Sequence, residues 1–473
     1  MRKTDILNFI ISYISIVVAF IIVLARTKVF SVEEIGIYSY ILSISAIITV
    51  IVNFGIPRII LRFYELNKYN NFIKRVFQLQ LFTFLLFIII LVLMSRIIEI
   101  NYIIFIIFMV FNQLIITNLD TISIVVNKSV KSNLYRTIFI QSLNIFSLLL
   151  IAFFKGNIYQ YLTLFIIANF IIIVFYIVLL KENIFFKVNQ KLSSRFYKNY
   201  LNYGLYVMLN AAASTMILNI DNIMIKNYLG LESVGIYSIS FTIAAVIGMV
   251  GSVFARSVPP KIVQCLNDKN YLELETIYKK NTEQQIYIGL ILLILVISFS
   301  KEILGLMGET YIQGVGVLMI IAIAQMIQIG TGMCGTIIGV SKYYKIEVYI
   351  NGFLLFLTIS LNILLIPLYG IIGGAIASLL SILIINIIKI IVVYKKFNIQ
   401  PYKYSNIKYI GLGIVLYIIL FIMNINLIFT IVDISFLSIL IFIIYDIFLY
   451  FFNERDLLTL KLIKKITRKR VQK

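Results

Sequence analysis

Apolar residues recur in uninterrupted runs from one end of this chain to the other, separated by short polar stretches. Each run is long enough to cross a bilayer, which takes ~20 helical residues. The pattern predicts an all-α polytopic membrane protein with about 14 transmembrane helices. The predicted spans are residues 6–26, 34–58, 73–94, 101–126, 135–153, 158–180, 202–225, 234–257, 284–304, 311–339, 347–368, 371–394, 407–424 and 427–451. The first run follows Met-Arg-Lys-Thr-Asp and mimics a signal peptide. It is too long for one and no small-residue cleavage site follows, so it reads as an uncleaved span.

One phrase within this pattern is written twice. Residues 30–39 read Phe-Ser-Val-Glu-Glu-Ile-Gly-Ile-Tyr-Ser, and residues 229–238 read Leu-Gly-Leu-Glu-Ser-Val-Gly-Ile-Tyr-Ser, an offset of 199. The register continues, with Ile44, Ala46 and Ile48 falling on Ile243, Ala245 and Ile247. Six spans separate the copies, an even number, so both face the same way. The halves are then a parallel repeat, related by an axis along the membrane normal. The expected organisation is an N-lobe over 1–181 (spans 1–6), a cytoplasmic linker over 182–201 and a C-lobe over 202–396 (spans 7–12). An additional pair of spans follows over 397–452, then a basic cytoplasmic tail over 453–473.

Composition agrees and adds charge. The chain is 61% hydrophobic and only 13% charged, against about a quarter charged in soluble domains. Of its 41 Lys and Arg residues, 33 fall on one side of the predicted spans and 6 on the other. That asymmetry places both termini in the cytoplasm. It also accounts for most of the net charge of +21 without nucleic acid, because the positives are scattered over eight segments. The tail carries eight basic and two acidic residues, suited to anionic lipid or to anchoring topology alone. Histidine is absent, which removes the usual proton shuttle and Ser-His or Cys-His pairs. Cys265 and Cys334 form neither a disulfide framework nor a zinc pattern, and neither a cofactor nor a metal is expected. No P-loop is present. No stretch between spans is long enough for a catalytic domain.

Charges within spans are costly and carry the functional information. Arg58 lies 20 residues after Tyr38, and Arg256 lies 19 after Tyr237. At ~1.5 Å per residue each distance is about one bilayer, so both arginines end their spans on the cytoplasmic side. They read as positive-inside anchors or as paired guanidiniums across a cavity, suited to phosphate. Arg26 and Lys226 are near-equivalent at the outer ends of spans 1 and 7, against the positive-inside trend. They read as snorkelling cations or as a second cationic rung. Asp221 and Asp120 are ion-coupling candidates for H+ or Na+, and for each the second reading is neutralisation of a neighbouring cation. The spacing from Asp221 to Lys226, i to i+5, aligns them poorly.

Several phrases taken in order resemble the polysaccharide transporter family. They are Val32-Glu33-Glu34-Ile35-Gly36-Ile37-Tyr38, Phe54-Gly55-Ile56-Pro57-Arg58, and Asp221-Asn222-Ile223-Met224 leading into Val234-Gly235-Ile236-Tyr237-Ser238. Gly308-Glu309-Thr310-Tyr311 and the stretch from Leu361 to Ala375 complete them. The family comprises Wzx-type flippases of O-antigen or capsule repeat units, in the MOP superfamily with the MATE extruders and the lipid II flippase. The resemblance implies a V-shaped pair of lobes around a cationic cavity. It implies a substrate, an undecaprenyl-diphosphate-linked oligosaccharide moved to the outer leaflet of a bacterial cytoplasmic membrane, and other polysaccharide assembly proteins as partners. The family's cavity arginines on spans 2 and 8 correspond to Arg58 and Arg256. Span 1 departs from the lipid II branch, which carries several basic residues there, by having only Arg26. The rivals are a MATE-like cation antiporter, which favours acidic cavities, and a membrane-embedded polymerase or ligase, which needs a catalytic outer loop.

Overall fold

A computed structural model describes residues 18–63, 71–93, 99–126, 139–180 and 194–403, with isolated positions from 406 to 413. Predicted span 14, nearly all of span 13, the basic tail and most of the 182–201 linker lie outside the described residues.

The described residues are helical, with no strand among them. Residues 18–29 form α1. Then come α2 (Val32–Asn53), α3 (Ile56–Phe63), α4 (Asn71–Leu93), α5 (Ile100–Val125), α6 (Ile140–Phe154), α7 (Ile158–Leu179) and α8 (Ser194–Leu229). They are followed by α9 (Leu231–Ser257), α10 (Pro259–Asn267), α11 (Tyr271–Ser298), α12 (Ser300–Met307), a 3₁₀ turn (Glu309–Gly314), α13 (Val315–Gly330) and α14 (Cys334–Val340). The last two are α15 (Tyr344–Tyr369) and α16 (Ile371–Phe397). Among the described residues nine helices are long and apolar enough to cross a membrane. Large apolar side chains are exposed on these helices, such as Phe356 and Leu368, and on the shorter apolar α6, such as Phe153 and Phe154. In a bilayer such a surface meets lipid, and the backbone groups are satisfied inside each helix.

Three predicted spans are broken, span 9 by the single turn residue Phe299 between α11 and α12, the other two more fully. Span 2 stops at Asn53, where Phe54 takes a left-handed conformation (φ 46°) and Gly55 follows at φ 70°. A Cβ at Gly55 would press on the Gly204 carbonyl and Val207 of α8, so the break is also a point of close approach. Arg58 therefore rides on the short helix α3, whereas Arg256 belongs to the unbroken α9. Span 10 stops at Gly330 and resumes at Cys334, through Gly332 at φ 64°. The Thr331 carbonyl freed by that break accepts a hydrogen bond from the Tyr278 hydroxyl (3.0 Å), and the Thr331 hydroxyl bonds Asn386 (2.9 Å). Continuous apolarity hid these breaks. Helix also begins earlier than hydropathy suggested at α8 and α11, where polar first turns precede the apolar stretch.

The chain divides into two compact units. The first contains residues 1–241, 305–317 and 342–381, and so both copies of the repeated phrase. Its core includes Ile56, Ile59 and Ile60 of α3, Ile116, Leu119 and Ile122 of α5, and Ile172, Ile173 and Tyr176 of α7. Beside it runs an uncharged polar ladder. Thr49 bonds Gln113 (2.9 Å) and Asn53 bonds Thr117 (3.1 Å), one helical turn apart, and Asn118 bonds Gln80 (2.7 Å). Such side-chain bonds join helices where lipid offers no hydrophobic drive between them. The second unit contains residues 242–304, 318–341 and 382–473. Its core gathers Ile286, Tyr287, Leu290, Ile291 and Ile294 of α11 around Tyr409.

The repeated phrase opens α2 with a capping box. The Ser31 hydroxyl accepts from the Glu34 amide, and the Glu34 carboxylate accepts from the Ser31 amide. The other Glu34 oxygen accepts from the Ile158 amide at the start of α7 (3.0 Å). One carboxylate thus ties two helix N-termini together, where the dipoles favour a negative charge. Glu34→Ala is expected to lower stability by about 2 kcal/mol, because both amides lose a charged acceptor. Ser31→Ala should cost about 1 kcal/mol. Thermal unfolding of the purified full chain checks the order of the two.

Candidate functional site

The two copies of the phrase touch each other, and they do so reciprocally. The Ser39 hydroxyl donates to the Ser238 hydroxyl at 2.9 Å, and these residues are 199 apart, the offset of the repeat. A Cβ at Gly36 would overlap the Leu231 carbonyl, and a Cβ at Gly235 would overlap the Val32 carbonyl. Val32 and Leu231 are also 199 apart. The first turns of α2 and α9 therefore cross about a local two-fold axis, with glycine at each point of closest approach. Small residues of this kind let two membrane helices meet backbone to backbone.

Around this crossing stand three of the charges singled out in the sequence, Arg26, Lys226 and Asp221. The repeated tyrosine serves both signs. Tyr38 lies under the Arg26 guanidinium at 4.0 Å from the ring centroid, and Tyr161 of α7 lies at 5.5 Å. The Tyr161 hydroxyl is 3.4 Å from Arg26 Nη2, and Phe30 packs on the same Tyr161 ring. Arg26 Nε is buried without a hydrogen-bond partner, and among the described residues no carboxylate forms an ion pair with this side chain. Stacking on aromatic faces holds a desolvated cation at about 2 kcal/mol and leaves donor capacity, here the unpartnered Nε, for an anion. Tyr237, the other copy, instead donates its hydroxyl to Asp221 at 2.6 Å.

Asp221 is buried in α8 within the first unit. Three neutral donors converge on it: Tyr237, Asn362 Nδ2 of α15 at 2.6 Å and Ser378 Oγ of α16 at 2.7 Å. Among the described residues no cation pairs with it. Lys226 is not its partner and sits over the Tyr40 ring of α2 at 5.3 Å, while Asn222 bonds Ser43 of α2 (2.9 Å). Asn362 Oδ1, on the amide whose Nδ2 faces the carboxylate, is buried with no hydrogen-bond partner of its own. The cluster therefore offers several oxygens to a small cation or proton. Asp120 is less enclosed, and its Oδ1 accepts from the Tyr176 hydroxyl at 3.0 Å.

Arg58 is exposed on α3. Arg256 lies near the end of α9, where only the backbone is described. Sequence reading singled out Arg26, Lys226 and Asp221 by residue type and position. It missed Tyr161, Asn362 and Ser378 as their partners, because each arrives from a helix remote in sequence. The signal within reach was Tyr38 and Tyr237, repeated at equivalent positions and each set beside a helix with a charge.

The comparisons extend this geometry. A family model described as "Polysaccharide biosynthesis protein" matches residues 3–266, and the MatE family model matches residues 207–364. The capsular polysaccharide biosynthesis protein CapF of Staphylococcus aureus is 28% identical over 177 residues, 36% of this chain and 44% of that protein. The match thus spans less than half the length of this curated relative. Among solved structures, the lipid II flippase MurJ in an inward closed conformation superposes with a TM-score of 0.74 at 14% identity, covering 94% of this chain and 99% of that one. An inward-facing multidrug MATE transporter of the MOP superfamily gives a TM-score of 0.64 at 13% identity, over 84% of this chain and 98% of that one. With a family model matched over more than half its length, on a membrane-spanning helical fold shared with MOP transporters, the chain belongs to the polysaccharide biosynthesis protein family.

Proposed function

We propose that this multi-pass membrane protein is a flippase. Its substrate is an undecaprenyl-diphosphate-linked oligosaccharide, carried from the cytoplasmic to the outer leaflet of the bacterial cytoplasmic membrane by alternating access. The observation that carries this reading is the Arg26 guanidinium, held on tyrosine faces with buried donor capacity and, among the described residues, no carboxylate partner. A cation kept in that state favours an anionic group such as a diphosphate. Family membership supports the polysaccharide context. Arg58 and Arg256 are assigned to the diphosphate on entry, Arg26 and Lys226 on release, and no covalent chemistry is involved.

Asp221 is assigned to ion coupling. The carboxylate, Asn362 Oδ1, Ser378 Oγ and the Tyr237 hydroxyl form an all-oxygen set, the donor type suited to a hard cation such as Na+ or to a proton. One elementary charge moved through 100 mV corresponds to ~2.3 kcal/mol, enough to bias a conformational equilibrium.

Deleting the gene and analysing lipid-linked sugars tests the proposal. The oligosaccharide is expected to accumulate on the cytoplasmic leaflet while surface polysaccharide is lost. Arg26→Gln should reduce export at least tenfold, with Arg26→Lys intermediate because it keeps charge but loses the planar fork. Normal export by an inserted Arg26→Gln protein would sink the assignment of that residue. The MatE match over 207–364, which includes Asp221, favours one second reading, an antiporter of organic cations. Uptake of such cations by purified protein in vesicles separates the two.

A further inference from the structure

Away from the charged cluster, α1 and α6 line an open groove of ≈ 130 Å³ whose lining is wholly apolar. Ile21, Ile22, Ala25 and Val29 line it from α1, and Ile145, Leu148, Leu149 and Ala152 from α6. The size is near the ~150 Å³ of a cavity that stays dry and takes a benzene-sized group. It opens from a surface rich in exposed apolar side chains, with Leu149, Phe153 and Phe154 among them. A short hydrocarbon segment fits it, and its walls offer water no hydrogen-bond partner.

Two lysines stand at one end of this groove. Lys28 is three residues after Ala25 and seven after Ile21, on the groove-lining stripe of α1. Lys155 caps α6 in a left-handed conformation, three residues after Ala152 and seven after Leu148. Both side chains are exposed. Both helices end on the same side, because Glu34 at the start of α2 also binds the first amide of α7. An apolar slot with two cations at one mouth has the charge layout of an anionic membrane lipid.

We propose that this groove binds one anionic glycerophospholipid, with the phosphate between Lys28 and Lys155 and the upper part of one acyl chain in the slot. The slot is too small for a long polyprenyl tail, whereas a phospholipid needs only a few methylenes below its headgroup. The site depends on the chain lying in a membrane and not on what the chain transports. On the orientation proposed above it faces the outer leaflet, where these lysines run against the positive-inside trend.

Native mass spectrometry of the purified full chain, titrated with phosphatidylglycerol or phosphatidylcholine, tests this. One phosphatidylglycerol per chain is expected to persist under conditions that strip phosphatidylcholine. The double variant Lys28→Gln/Lys155→Gln should weaken phosphatidylglycerol retention about tenfold or more, since each lysine near the membrane surface contributes to anionic lipid attraction. Lys28→Arg/Lys155→Arg should restore it. Ala152→Phe, at an exposed position, should fill the slot and lower retention with no change in melting temperature. Retention unaffected by the glutamine pair, equal retention of both lipids, or displacement of phosphatidylglycerol by undecaprenyl phosphate at equal concentration would each overturn the proposal.

Discussion

Asp221→Ala is expected to be among the most damaging single substitutions in the chain. It strands three donors, on Tyr237, Asn362 and Ser378, that now converge on one buried carboxylate. Each buried donor left unsatisfied costs about 1–3 kcal/mol, against a typical total stability of about 5–15 kcal/mol. The yield of monodisperse protein in mild detergent should fall sharply. Asp221→Asn separates structure from charge. It keeps an oxygen and nearly the same shape, so folded yield should stay near wild type. Polysaccharide export should nonetheless drop at least tenfold, because a neutral amide binds neither a proton nor a monovalent cation as a carboxylate does. Wild-type export by a well-inserted Asp221→Asn protein would remove this residue from coupling and leave it a packing role. Activity and yield falling together in both variants would point the same way.

Joining Ser39 to Ser238 is the second large effect. Their hydroxyls lie 2.9 Å apart where α2 and α9 cross, so the pair Ser39→Cys/Ser238→Cys should form a disulfide under mild oxidation. If release to one leaflet requires the first turns of α2 and α9 to part, the oxidised protein should stop exporting and reduction should restore it. The single cysteine variants should behave as wild type. The native cysteines interfere little, being buried and unpaired. For Cys265, burial first and then the nearby Glu273 and Asp268 push the thiol pKa up, away from reactive thiolate. Undiminished export by fully cross-linked protein would show that this crossing stays shut throughout the cycle.

Most of the helix order was legible from hydropathy, since lipid demands long apolar runs and each described run became a helix. The breaks at Phe54–Gly55 and Thr331–Met333 were not. A helix interior and a helix interrupted inside a protein can share the same apolar composition, and only the partner supplied by another helix decides between them. Tyr278, which takes the freed Thr331 carbonyl, lies 53 residues away in sequence. The site was half legible for a related reason. Charges within spans announced themselves, so Arg26, Lys226 and Asp221 were identifiable by type and place. Their surroundings were not, because Tyr161, Asn362 and Ser378 reach them through packing. The poor alignment of Asp221 with Lys226 was read from the i to i+5 spacing, and in the fold each has other partners, neutral donors for the carboxylate and the Tyr40 ring for the lysine.

The crossing at Gly36 and Gly235 also bears on how the two halves of this chain diverge. Each glycine lies against the opening turn of the other copy, so a side chain added in one half would collide with backbone of the other. Neither copy can drift alone at these positions. Elsewhere the halves also meet through side chains, as at Asn222 with Ser43 and Lys226 with Tyr40, which can change without driving backbone into backbone, and there the likeness has faded. The surviving decapeptide is thus a record of continuing mutual constraint as well as of shared ancestry. A search of other duplicated membrane proteins for their least faded internal phrase should, by the same logic, point to where their halves meet.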